Sequence, residues 1–301
     1  MNERLVYRTY VVLGEVLSKL PEPVALAGAH LVGEVLFHLR QEHRASVAAN
    51  LRRVVGGEAG DPVDDAILDG WARRAFHAYA RYWVEGARLG GTPRREVVQR
   101  THVQGLHHLV DGMAAGNGVI MALPHVGSWE YGGAFLAASG LPMTSVAERI
   151  DPPELYRYFV EQRAAIGLTV VPLDAHAGRA VLAELRRGGL VGLLSDRDIE
   201  GTGVDVEFFG EKTTMPAGPA ALALRSGARL VTGAVYSGPG RDHRGVVEPP
   251  IDLTRRGSLR ADVARITQEV AHRFEGLVRR APEQWHVFQP FWSADRHRDR
   301  P

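Results

Sequence analysis

Cysteine is absent from all 301 residues, which excludes disulfide frameworks, thiolate metal sites and a cysteine nucleophile. Lysine is nearly absent too. Lys19 and Lys212 are the only two, so arginine carries the positive charge, a composition typical of high-GC bacteria. Neither sign of charge dominates: 36 basic residues stand against 35 acidic ones, for a formal charge of +1. No global field recruits a polyanion, and nucleic acid is not an expected partner. Long hydrophobic runs are also missing. The most apolar stretch, 24–39, is interrupted by His30, Glu34 and His38 and falls short of the roughly 18 to 20 apolar residues that span a bilayer. The first residues lack the charged-then-apolar order of a secretory leader, so a cytoplasmic location is the expectation. No Gly-x-Ser-x-Gly elbow, dinucleotide fingerprint or Walker loop occurs, and the histidines offer no zinc pattern beyond the adjacent pair His107 and His108. No metal is expected.

What is present is a globular composition, 45% hydrophobic and 24% charged, with length enough for a large core. The first hundred residues read as helices. Val6, Tyr10, Leu13, Leu17 and Leu20 recur at spacings of four and three, which sets them on one helical face before Pro21 and Pro23 end the pattern. A second helix carries His30, Glu34 and His38 as its polar stripe. These apolar faces either bury against the protein's own core or lie in a membrane interface, where the flanking Arg4, Arg8, Arg40 and Arg44 would meet anionic lipid.

From Gly118 onward, short apolar runs alternate with amphipathic stretches. Strands are predicted at 119–123, 144–147, 169–173, 190–194, 204–209, 229–236 and 245–247; helices at 129–138, 153–166, 179–187, 219–226 and 258–280. Such alternation argues for an α/β fold with a central, mainly parallel or mixed sheet flanked by helices and an N-terminal helical layer. One domain over 1–301 is the economical organisation, with the helical layer at 1–100 and the α/β catalytic core at 101–301.

The sharpest chemical feature is LPHVGSWE at 123–130. A strand ends at Pro124, His125 falls at the strand's carboxyl edge, where open α/β sheets place ligands, and a helix begins near Ser128. From the first helical turn Glu130 is expected to fold back toward the imidazole. A histidine titrates near neutrality and, with a carboxylate to stabilise its imidazolium form, makes a general base. The bland alternative is a histidine that caps a helix. Among the other polar residues, Arg149, Arg163 and Arg197 suit phosphate or carboxylate recognition through the guanidinium fork, or form ordinary ion pairs; Glu148 and Asp196 suit sugar hydroxyls or orient those arginines. The segment TTMPAGP at 213–219 either polarises a carbonyl with helix N-terminal amides or is only a helix start with proline early in the first turn.

A histidine followed after four residues by Asp or Glu resembles the signature of the lysophospholipid and lipid A type acyltransferases. RASVAANLRR at 44–53 and YARYWVE at 79–85 are similar to the helical segments before that signature. VAER at 146–149, the stretch 155–167 with Tyr156, Phe159, Arg163 and Gly167, SDRD at 195–198 with VEFFGEKTTMPAGP at 206–219, and 282–292 resemble the later blocks in order. LPHVGSWE, VAERI, ARYW, FFGEKTTMPAGPA and QWHVFQP are most similar to the actinobacterial phosphatidylinositol mannoside acyltransferases. Two positions depart from that pattern: Glu130 stands where Asp is commoner, and Asp196 where Glu is expected.

The resemblance implies an acyl-CoA-dependent O-acyltransferase with His125 and Glu130 as the catalytic pair, Glu148, Arg163, Asp196 and Arg197 binding substrate, and no acyl-enzyme. Acyl-CoA would be a co-substrate with no bound cofactor. The acyl group would go to a glycolipid or phospholipid acceptor, specifically a mannose hydroxyl of a phosphatidylinositol mannoside, and the protein would sit peripherally on the cytoplasmic face of the membrane. The alternatives are the same chemistry on another lipid acceptor, or a lipid-binding protein without turnover.

Overall fold

A computed structural model of the protein describes residues 3–56 and 63–296; the side chains of Arg4 and Val6, both in the expected N-terminal stripe and its basic flank, lie outside what is described. Helices α1 (Glu3–Lys19), α2 (Glu22–Leu39), α3 (Gln41–Val55), α4 (Asp65–Leu89) and α5 (Arg94–Gln99) come first. Strand β1 (Thr101–Gln104) and helix α6 (His107–Ala114) lead into β2 (Val119–Leu123), α7 (Trp129–Ala138), β3 (Met143–Ala147), α8 (Pro153–Ala165), β4 (Thr169–Pro172), α9 (Ala177–Arg186) and β5 (Leu190–Leu194). A hairpin of β6 (Val204–Phe208) and β7 (Glu211–Met215) follows, then α10 (Gly218–Ser226), β8 (Arg229–Ser237), β9 (His243–Val247), α11 (Leu259–Arg279), a 3-10 turn Pro282–Gln284, and α12 (Ser293–Arg296).

The seven-stranded sheet has the order β1-β9-β8-β2-β5-β3-β4. Its pairings are parallel except between β8 and β9, a hairpin that reverses the β1 and β9 edge. The fold is therefore α/β with a mostly parallel, mixed sheet flanked by helices and preceded by a helical region. Every residue of β2 is buried. Ile120 and Ala122 pack with Ile266 and Phe274 of α11 on one face, while Val119, Met121 and Leu123 pack with Phe135 and Leu136 of α7 on the other. A strand covered on both faces reads as one continuous apolar run, which is why 119–123 was legible. Two strands were not predicted. Strand β1 (THVQ) alternates too briefly to register, and β7 (EKTTM) is polar because its hairpin pairing with β6 supplies its order.

In the helical region α2 lies tight against α4, where a Cβ on Gly33 would come within 2.8 Å of the His77 Cα. The expected stripe on α1 divides. Leu17 and Leu20 pack beside a small cluster of Ala25, Ala29, Ala80 and Val84, but Tyr10 and Leu13 are exposed. Helix α3 reaches the far end of the chain instead, where the Asn50 amide donates to the carbonyls of Val287 at 3.1 Å and Gln289 at 2.9 Å.

Candidate active site

Parallel pairing of β2 with β5 sets Leu123 opposite Leu194, and the Ser195 amide extends the ladder by donating to the Leu123 carbonyl at 2.9 Å. His125 and Asp196, each two residues past those partners, therefore leave the sheet side by side at its carboxyl edge, the place where open α/β sheets hold ligands. The His125 amide donates to Asp196 Oδ2 at 2.9 Å, and the ring Nδ1 lies 2.5 Å from Asp196 Oδ1. With Nδ1 engaged, Nε2 is the nitrogen left for a substrate. Asp196 is fully buried. Burial alone would raise its pKa, but the His125 ring, the Trp285 indole and the His125 amide together hold it below the ordinary carboxylate range.

Glu130 has different partners from those expected. Its Oε1 accepts from the Tyr82 hydroxyl at 3.0 Å and from Arg163 at 3.0 Å, and its Oε2, although buried, has no protein partner. Helix α7 turns that side chain toward α4 and α8, and Asp196 takes the place behind the imidazole expected for Glu130. Tyr82 keeps its proton, because burial and then the Glu130 charge push its pKa well above the usual range. Burial works against the Arg163 cation, yet the Glu130 charge holds its pKa above the ordinary value, so the pair stands as an ion pair.

The backbone of the His125 loop is fixed from two sides. Gly127 has φ +64°, and a Cβ there would fall 2.0 Å from the Val235 carbonyl oxygen, so only glycine fits. From the other side comes the segment Gln284, Trp285 and His286: Gly127 N donates to Gln284 O at 2.9 Å and His286 N to His125 O at 2.7 Å. The His286 ring contacts the Gly127 carbonyl oxygen at 3.2 Å, and burial pushes its pKa down to about 3, which keeps it neutral.

His125 opens onto a cavity of about 670 Å³. His125, Glu130, Glu148, Arg163 and Arg197 line it, while Asp196 lies behind His125. Its lining includes an aromatic set from the helices, Tyr79, Tyr82, Trp83, Trp129 and Phe159, and an aliphatic set, Val146, Leu173, Val181, Leu193 and Leu222. Arg149 is not in this lining and forms an exposed ion pair with Asp174 at 3.0 Å. In the 213–219 segment, the Thr213 hydroxyl is committed to the Phe291 carbonyl at 3.0 Å, and Pro216 to Pro219 at the start of α10 border the cavity. Among the described residues no group of three or more His, Asp or Glu could hold a metal ion. Sequence reasoning missed the Asp196 pairing and Trp285; the signal available was the equal offset of HV and SDR from two apolar strands, readable only once the two strands are known to pair.

The family described as bacterial lipid A biosynthesis acyltransferase matches residues 3–294. A phosphatidylinositol mannoside acyltransferase of Mycolicibacterium smegmatis is 40% identical over 250 residues, covering 82% of this chain and 78% of the relative. One from Mycobacterium tuberculosis is 38% identical over 252 residues, covering 82% and 76%.

Proposed function

From the premise that this chain belongs to the bacterial lipid A biosynthesis acyltransferase family, we propose that it transfers a fatty acyl group from acyl-CoA to a mannose hydroxyl of a phosphatidylinositol mannoside. Acyl transfer between a donor and a lipid acceptor comes with the family; the donor, the sugar hydroxyl and the residue roles are the proposal. The observation that carries it is a histidine held by a buried carboxylate and lining a cavity whose other lining is both aromatic and aliphatic.

His125 Nε2 takes the hydroxyl proton as that oxygen attacks the thioester carbonyl. The new C–O bond forms, the C–S bond breaks, and the leaving thiolate takes the proton back from the imidazolium, so no acyl-enzyme forms. Asp196 fixes the ring and stabilises its positive charge. Glu130, set by Tyr82 and Arg163, lines the cavity and receives a sugar hydroxyl, with Glu148 in the same lining able to receive another. Arg163 and Arg197 supply the cations that phosphate-bearing substrates require. The aromatic side chains of the lining suit a sugar face, and the aliphatic ones suit an acyl chain.

The exposed apolar side chains of α1 and α2 support a peripheral seat on the cytoplasmic membrane face. No described helix is long and apolar enough to cross a membrane.

Purified protein incubated with palmitoyl-CoA should release free CoA when a mannosylated phosphatidylinositol is supplied, and much less with lysophosphatidic acid or with no acceptor. Faster release with lysophosphatidic acid moves the proposal to another acceptor. No acceptor-dependent release with any lipid leaves the lipid-binding alternative.

A further inference from the structure

Three donors converge on Asp196, and one of them comes from the far end of the chain. The His125 ring holds Oδ1, while Oδ2 receives both the His125 amide and, at 2.9 Å, the indole N–H of Trp285, 89 positions away in sequence. Trp285 is 2% exposed and packed among Phe208, Phe291 and Trp292, with ring centroids 5.0 to 6.0 Å apart. Its backbone has no freedom to move either. Trp285 bridges Val126, and the Gln284 side chain is clamped to both backbone groups of Ser237 at 2.9 Å. One three-residue segment thus ties down the loop that carries the histidine and the carboxylate behind it.

We propose that Trp285 is a positioning residue that acts through Asp196: its N–H fixes the plane of the carboxylate and draws charge toward Oδ2, so the base strength of His125 is set partly from the C-terminal segment. The inference rests on the reading of His125 as the base. A carboxylate with both oxygens supplied presents a weaker charge to the imidazole than one whose second oxygen is short of a donor. Loss of the indole N–H leaves more charge facing Nδ1, stabilises the imidazolium and reserves the neutral, proton-accepting ring for higher pH. The other charged groups lining the cavity with His125 are Arg197, Asp198 and Glu200 after β5, Glu148 after β3, and Glu130 with Arg163 from α7 and α8; the Trp285 indole N–H goes to Asp196. His286, on the same segment, stays neutral and contributes no charge near neutral pH.

Trp285→Phe keeps a ring in the aromatic cluster and removes the donor. Its acid limb of kcat/KM should move to higher pH by roughly half a unit to one unit, and kcat should fall about tenfold with little change in KM. Trp292→Phe is the control. That residue sits in the same cluster and gives its own N–H to the Phe208 carbonyl at 2.9 Å, so it loses an equivalent buried bond without touching Asp196. It should lower Tm and leave the pH profile in place. A Trp285 variant whose side chain is the sulfur isostere of tryptophan keeps the shape in full, and should reproduce the shift if the phenylalanine variant fails to fold. An acid limb unmoved in the folded Trp285 variants, or moved as far by Trp292→Phe, overturns the inference while His125 remains the base. Turnover retained in His125→Ala overturns the base reading, and this inference with it.

Discussion

The two sides of the cavity are built by different means. On the sheet side, parallel register places His125 and Asp196: neighbouring strands end together, and the two side chains leave the edge at equal offsets. On the helical side, Glu130 is held by Tyr82 from α4 and Arg163 from α8, contacts that depend on how three helices pack. Register in a buried parallel sheet is fixed, because a slip by one residue turns every side chain over. Helix faces tolerate small rotations and shifts. The sheet side therefore suits atoms that must stay within hydrogen-bond distance of a reacting proton, and the helical side suits contacts that shape binding.

If that division holds, substitutions on the sheet side should cost the most. His125→Ala should lose ~10²–10⁴ in turnover, the usual contribution of a positioned general base, while still binding acyl donor. Asp196→Asn keeps shape and burial but loses the charge and can reverse the ring's tautomer, so a loss of about 10²-fold or more in kcat is expected. Single-turnover kinetics on folded variants checks both. Near-normal turnover in either one removes it from the chemistry.

The helical side should respond less. Glu130→Gln keeps its bond from Tyr82 but loses the ion pair with Arg163, and the expected cost is about tenfold, with KM for the acceptor rising along with any fall in kcat. Arg163→Lys should be nearly as damaging as Arg163→Ala, because a point charge does not replace a planar guanidinium whose side chain is a quarter exposed and paired with Glu130 at 3.0 Å. A Glu130→Gln loss larger than that of Asp196→Asn would reverse the two carboxylates and restore the pairing expected from the sequence motif.

Why the motif pointed to Glu130 while Asp196 is the carboxylate in contact with the imidazole is a matter of range. His125 and Glu130 are five residues apart, close enough for a strand-to-helix turn to join them, whereas Asp196 is 71 residues from His125 and meets it only through the β2 and β5 pairing. Local patterns carried the fold well for the same reason. Strands β2 and β5 and helix α7 are each specified by their own apolar spacing, and their predicted bounds match. Strands β1 and β7 are polar or short and take their order from partners elsewhere in the chain. The role of Trp285 was hidden twice, by distance and by residue type, since a tryptophan in an aromatic-rich tail reads as core until its N–H has a partner.

The outer face of the helical region offers the smallest effect on chemistry and the sharpest contrast with the sheet. There the apolar periodicity is not used up by burial: Leu13 on α1 is 52% exposed, and Leu31 and Leu39 on α2 are 65% and 72% exposed. Arg8 and Arg40, both exposed, flank that face. Leu17 differs, since it packs beside the Ala25 and Ala80 cluster, and a charge there would strike the fold as well as any membrane contact. The informative variant is therefore Leu13→Glu with Leu31→Glu. A leucine moved fully out of water is worth about 1.5–3 kcal/mol, so losing two partly immersed ones should weaken partition onto vesicles of anionic phospholipid by roughly tenfold or more. Turnover on a detergent-dispersed acceptor should stay within about twofold, because neither side chain lines the cavity. Vesicle co-sedimentation alongside that assay separates the two quantities. Unchanged binding by the folded double variant would mean that this face is not the membrane seat, and equal loss in both assays would mean that the helical region shapes the site itself.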